Sequence, residues 1–229
     1  MQMILDPVGF ENSTCVLSPE AVEGPYYINN EMIRTNLTED QLGIPMTLDI
    51  AVIDVTTCKP MENIIVEIWA GHSGPGGPGG PPAQPLSRNE TFLRSGAPTS
   101  ADGLVELVTI YPGFYAGRTA HIHTMIHMNW ERSENGTFVS TSGNLLHMEC
   151  EVYATSPYTE NTNKRTYNDQ DGQMNDSEDP NGNSAIVDIS FAGEDLTKGL
   201  VGLITVGVDP HASYHITNKN YLNSTSSSE

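Results

Sequence analysis

TIYPGFYAGRTAHIHTMIH, residues 109–127, brings Tyr115, Arg118 and three histidines into one short span. Pro112 and Gly113 mark a turn just ahead of Tyr115. His121 and His123 follow inside a run with strand character, residues 120–128. Alternate residues of a strand share a face, so both imidazoles point the same way. Their Cα atoms then stand roughly 6.7 Å apart, near enough to converge on one ion. The preceding turn lets Tyr115 swing back over that face. His127 shares the face but lies roughly 13 Å beyond His123. It is therefore read as a strand or surface histidine and not as a ligand to the same ion.

Imidazole with phenolate is an unusual donor set. Phenolate is a hard, anionic oxygen donor, and ferric iron is the metal it suits best. The competing reading is a strand with incidental aromatics, because His-x-His alone is a weak signal. Tyr115 and Arg118 beside the pair weigh toward a metal site.

Working outward, residues 104–110 alternate as a strand running into the Tyr115 turn. Residues 46–54 alternate as well, and Cys58-Lys59-Pro60 closes that run. IIVEIW, residues 64–69, reads as the next strand. Residues 185–191 and 199–208 read as the last two, the second apolar throughout and hence central. Short strands with polar turns predict an all-β fold, an antiparallel β-sandwich with long loops around the metal site. AGHSGPGGPGGPPAQP, residues 70–85, is too rich in Gly and Pro to hold a ladder, and residues 74–85 are expected to be a mobile surface loop. After Trp130 the chain turns polar through Pro180, as long loops do that shape a binding site or are simply mobile. Residues 1–14 read as an irregular arm and 222–229 as a disordered Ser-rich tail. The length of 229 residues fits a single domain, residues 1–229.

Ten basic against twenty-nine acidic residues give a formal charge of −19. Such a surface repels nucleic acid and anionic membranes, so neither is expected as a partner. No apolar run reaches transmembrane length. Six Asn-x-Ser/Thr sequons begin at Asn12, Asn36, Asn89, Asn135, Asn175 and Asn223. Chance alone supplies about three at this composition, so the excess toward a glycoprotein is modest. Three cysteines, Cys15, Cys58 and Cys150, permit at most one intrachain disulfide and a leftover thiol.

YPGFYAGRTAHIH resembles the signature of the intradiol ring-cleavage dioxygenases, especially their secreted fungal-type branch. The likeness extends to CVLSPEAVEGPYYINNEMIR, TTCKPMENIIVEIW, TFLRSGAPTSADGLVELVTIYPGFY and DLTKGLVGLITVGVDP, most of the chain. It implies an enzyme that binds a catechol-type aromatic diol and inserts O2 between the two hydroxylated carbons, with non-haem ferric iron as cofactor. It implies a secreted protein, of which this chain is then the mature form. Tyr115, His121 and His123 match metal ligands, and Tyr115 also acts as a base when substrate binds. Arg118 matches the residue that stabilises charge on the substrate ring. The competing role for Arg118 is a salt bridge to one of the many carboxylates. Gly24, Pro25 and Tyr26 match the wall of the substrate site, against the alternative of a Tyr pair packing the arm onto the sheet. Cys15 and Cys58 fall in matching blocks and are paired as a disulfide on that ground. The implied partners are the phenolic substrate and O2, with room left for a homodimer.

One departure stands out. The family's second ligand tyrosine belongs shortly after the Trp that matches Trp69, and no Tyr occurs between Trp69 and Tyr111. That place holds His72, Ser73 and the Gly-Pro run. The segment after the His pair is also shorter than in the family and holds no match there for the family's later Gly-Gln. Two phenolates and a hydroxide balance ferric charge, so losing one leaves a centre easier to reduce. Ferrous iron, zinc or copper then become alternatives, with His72 as a further donor. A second expectation follows: a repurposed protein of the same fold that binds a phenolic ligand or catalyses a non-oxidative step.

Overall fold

A computed structural model describes residues 15–21, 23–24, 27–70, 91–114, 117–140, 166–173 and 182–222, together with the backbone of 142–150. Twelve strands carry it: β1 Pro45–Asp54, β2 Lys59–Pro60, β3 Ile65–Ala70, β4 Arg94–Pro98, β5 Leu104–Ile110, β6 His121–His127, β7 Glu131–Arg132, β8 Phe138–Val139, β9 Ser142–Cys150, β10 Ile186–Phe191, β11 Leu200–Val208 and β12 Tyr214–His215. Among the described residues no helix is long and apolar enough to cross a membrane.

Two layers face each other. In the first, β1 pairs with β11 on one side and with β5 and β2 on the other, and β11 continues to β10. In the second, β6 lies between β3 and β9, and β4 completes the edge beside β3. β10 joins the layers, pairing with β11 over Asp188–Phe191 and with β9 over Ile186 and Val187. The architecture is an all-β sandwich, mostly antiparallel. Two of its pairings, β1 with β11 and β9 with β10, are parallel.

Period-two patterning decides which side of each strand enters the core. Met46, Leu48, Ile50 and Val52 of β1 are buried, while Thr47 and Asp49 between them are partly open. They meet Val66 and Ile68 of β3 and Ile122 and Ile126 of β6 in one apolar cluster between the layers. β11 is central, flanked by β1 and β10, but it is not covered on both sides. Leu203 is 44% exposed, because this layer turns one face to solvent.

Cys15 and Cys58 are joined by a disulfide with Cα atoms 5.5 Å apart. Ser18 then donates its backbone N–H to the Gly207 carbonyl at 2.9 Å, laying this entry segment along β11. Residues 32–37 form a strap over two open edges. Its N-terminal half bridges Gly96 of β4 and its C-terminal half bridges Val108 of β5. Leu37, fully buried, anchors it. The expected arm at 1–14, the loop at 74–85 and the tail from 223 lie outside the described residues. The strand β9 falls in a region that sequence reading took for a polar loop.

Candidate metal centre

β6 buries both of its faces. Ile122 and Ile126 enter the core between the layers. His121, His123, Met125 and His127 therefore line the opposite side, away from that core. His121 and His123 are 4% and 7% exposed, and their ring centroids stand 5.0 Å apart at 76°. The shared face read from His-x-His spacing is thus realised as two adjacent buried imidazoles.

Each ring is held differently. Nδ1 of His121 lies 2.7 Å from the Thr119 carbonyl oxygen. A carbonyl only accepts, so Nδ1 carries the proton and Nε2 keeps its lone pair. Burial, with Arg118 nearby, pushes His121 down to about 4, so the ring is neutral at physiological pH. A neutral imidazole with its far nitrogen tied to a carbonyl fits a metal ligand. His123 is fixed by packing: the Trp69 ring lies parallel to it at 7° with centroids 5.1 Å apart. The two residues face each other in register across β3 and β6. Gly24 closes on the same ring. A Cβ added there would lie 3.1 Å from Cε1 of His123, and the backbone at φ +71° suits glycine.

Arg118 is anchored by Asp171. Its Nε donates to both carboxylate oxygens, at 2.8 and 3.1 Å. Asp171 also accepts the Thr119 N–H at 2.9 Å and the Gln173 N–H at 3.0 Å. Burial pushes this carboxyl up, but those hydrogen bonds and the guanidinium outweigh it, and Asp171 is held below the usual carboxylate range. Arg118 therefore makes a salt bridge while standing close enough to His121 to lower its basicity.

Beneath the pair lies a second, polar layer. Tyr27 packs edge-on against Trp69 at 5.0 Å, and Met125 completes this small cluster. Burial, with the Glu67 carboxylate beside it, pushes the Tyr27 phenol up. His127 is fully buried, not a surface residue, with Nε2 2.7 Å from Glu67. Glu31 and Arg94 form a further buried pair, with Nη1 and Oε1 3.5 Å apart. Desolvation dominates at Glu31 and pushes it up to about 8 despite Arg94.

The C-terminal segment clamps this wall. The buried Glu23 carboxylate accepts from the Tyr214 hydroxyl, the Thr217 N–H and hydroxyl, and the Asn218 N–H. Asn29 donates to the Asn218 and Asn220 carbonyls.

Tyr115, Pro25, Tyr26 and His72 lie outside the described residues. Among the described residues no group of three or more His, Cys, Asp or Glu gathers as a metal site. The His pair thus supplies two donors, and any third donor must be of another kind or come from elsewhere. Sequence reasoning missed Trp69, Tyr27, Glu23 and Asp171. Glu67 carried a signal, an acid inside the apolar run IIVEIW that needed a buried partner.

No family model and no curated protein matches the chain. Solved structures do. An intradiol ring-cleavage dioxygenase from Tetranychus urticae superposes with a TM-score of 0.68 at 29% identity, over 86% of this chain and 97% of its own. The dioxygenase domain of a dioxygenase carbohydrate-binding protein fusion from Streptomyces sp. SirexAA-E superposes at 0.56 with 24% identity, over 85% and 99%. A catechol 1,2-dioxygenase from Acinetobacter sp. superposes at 0.57 with 16% identity, over 89% and 68%. The last two likenesses speak for the fold alone. With the buried pair on β6 and the sandwich around it, the chain resembles the intradiol ring-cleavage dioxygenases at the level of the family.

Proposed function

We propose that the chain is an extracellular dioxygenase of the intradiol kind, using non-haem ferric iron to cleave a catechol-type diol with O2. The observation that carries this reading is the adjacent buried pair His121 and His123, with Nδ1 of His121 tied back to Thr119. Tyr115 joins them as the third ligand. The iron, when bound, supplies the positive charge that makes the diol dianion stable enough to meet O2. Tyr115 takes a proton from the entering diol. Arg118, fixed by Asp171, keeps a permanent positive charge for the negative charge that grows on the ring. Gly24, followed by Pro25 and Tyr26, forms a wall of the substrate site. The disulfide supports an oxidising compartment.

A second reading is favoured by one observation, the lack of any Tyr between Trp69 and Tyr111. With one phenolate in place of two, the same pocket serves a protein that binds a phenolic molecule or acts on it without oxidation. Metal analysis of the purified chain, then oxygen uptake with a set of catechols, separates the two. Bound iron lost in His121→Ala, with uptake by the parent chain, supports the dioxygenase. A chain that retains no metal and consumes no oxygen with any catechol overturns it and leaves the second reading.

A further inference from the structure

Two of the six sequons fall on described residues, Asn36-Leu37-Thr38 and Asn135-Gly136-Thr137, and both asparagines are exposed. Their side chains share one local arrangement. The Thr38 N–H donates to Asn36 Oδ1 at 3.1 Å. Asn135 Oδ1 accepts from the Thr137 N–H at 3.3 Å, the Thr137 hydroxyl at 2.9 Å and the Ser133 hydroxyl at 2.6 Å. A backbone N–H can only donate, so the atom facing it is the amide oxygen and the nitrogen turns the other way. Neither Nδ2 donates to any described residue. A substituent on Nδ2 therefore leaves every one of these hydrogen bonds in place.

Their position in the fold is also shared. Asn36 sits on the strap over the open edges of β4 and β5, directly before its buried anchor Leu37. Asn135 sits at the turn of the β7–β8 hairpin, where Gly136 accepts the Ile33 N–H from that strap and Phe138 donates to the Glu31 carbonyl. The hairpin covers one half of the strap and Asn36 marks the other half.

We propose that Asn36 and Asn135 each carry an N-linked oligosaccharide that shields this margin of the sandwich. The donor is a polyprenyl-diphosphate-linked oligosaccharide. A bond forms between its anomeric carbon and Nδ2, the bond from that carbon to the phosphate oxygen breaks, Nδ2 loses a proton and the polyprenyl diphosphate departs. Sugar at both places obstructs edge-to-edge pairing of the strap with another chain, the hazard of any open strand. The proposal rests on the extracellular reading.

The test gives the full chain a secretion signal and recovers it from the medium of a eukaryotic cell. The chain then meets the glycosylation machinery whatever its native destination, so sugar occupancy is read separately from native secretion. Enzymatic deglycosylation that converts a modified Asn to Asp, followed by peptide mapping, is expected to return Asp at positions 36 and 135. Asn36→Gln and Asn135→Gln are each expected to remove one step in electrophoretic mobility. Because Asn135→Gln also removes the turn's acceptor, Thr137→Val is the companion variant, losing the same step while keeping Asn135, and Thr137→Ser is expected to retain it. Recovery of either asparagine unmodified from the secreted parent chain overturns the proposal.

Discussion

The indole of Trp69 lies parallel to the imidazole of His123, 7° between planes and 5.1 Å between centroids. One strand of the sheet thereby sets the orientation of a candidate ligand on the next. Trp69→Phe keeps an aromatic ring but narrows the stacked surface, and partners that orient a ligand are typically worth 10–100-fold in metal affinity. About tenfold weaker metal retention is expected, read by titration of the metal-free protein, with little change in the far-ultraviolet circular dichroism. Unchanged affinity in a folded Trp69→Phe protein would count against orientation by stacking.

Gly24→Ala tests the same ring from the other side. The left-handed backbone alone costs roughly 1–2 kcal/mol for a residue with a Cβ. The new methyl would stand 3.1 Å from His123 Cε1, so the ring must shift. The expected outcome is a small fall in Tm together with a larger fall in metal retention than any exposed Gly→Ala change produces.

Much of this was legible in the sequence, for physical reasons. The strands β1, β5 and β6 announce themselves by alternation because one face of each meets the core. His-x-His places two rings on one face by strand geometry alone. The partners of that face were not legible. Trp69 meets His123 through inter-strand register, and Asp171 reaches Arg118 across 53 positions of chain. Neither relationship has a local pattern. His127 is the strand histidine expected, but its burial was not legible for a related reason, since distance along the strand excludes it from the His123 ion and says nothing about Glu67 on the neighbouring strand. β9 was missed because Asn144, His147 and Glu149 interrupt its apolar residues.

Asp171→Ala removes the carboxylate that Arg118 Nε and the Thr119 N–H both use. Breaking a buried pair from one side costs ~3–5 kcal/mol. Chemical denaturation is expected to show a loss of that order. Asp171→Asn keeps an acceptor and should fall between the two. Equal stability of the three proteins would remove Asp171 from this role.

Glu31 predicts a pH dependence of defined sign. Its carboxyl is raised from 4.5 to about 8 by burial, with Glu67 adding and Arg94 opposing. Below pH 4.5 folded and unfolded states are both protonated there, and this group's favourable contribution is complete. As pH rises through about 8 the buried group must ionise, and the contribution is lost. Tm is expected to fall over that window, and Glu31→Gln should flatten the fall, with Tyr27, Glu67, His127 and Arg94 unchanged around it. A profile in Glu31→Gln that parallels the parent would place the titration elsewhere.

Removing the covalent tie is a further test. Cys15 and Cys58 close a loop of 43 positions, for which chain entropy gives about 4 kcal/mol. Cys15→Ser with Cys58→Ser is expected to lower Tm while leaving ligand geometry on β6 intact, since the disulfide sits at the Asp54 end of β1, where the Cys58 N–H donates to the Asp54 carbonyl. Metal retention by the double variant at low temperature checks the second half.

The clamp made by Glu23 and Asn29 on residues 214–222 has a consequence for biosynthesis. Synthesis runs from the N-terminus, so the segment that presses on His123 is made before either layer and its fastening after both. While the ribosome still holds residues 214–222, the nascent sandwich has its His pair but a wall without its clamp. Cotranslational folding can assemble the two layers, whereas closure over the imidazoles must wait until those residues emerge.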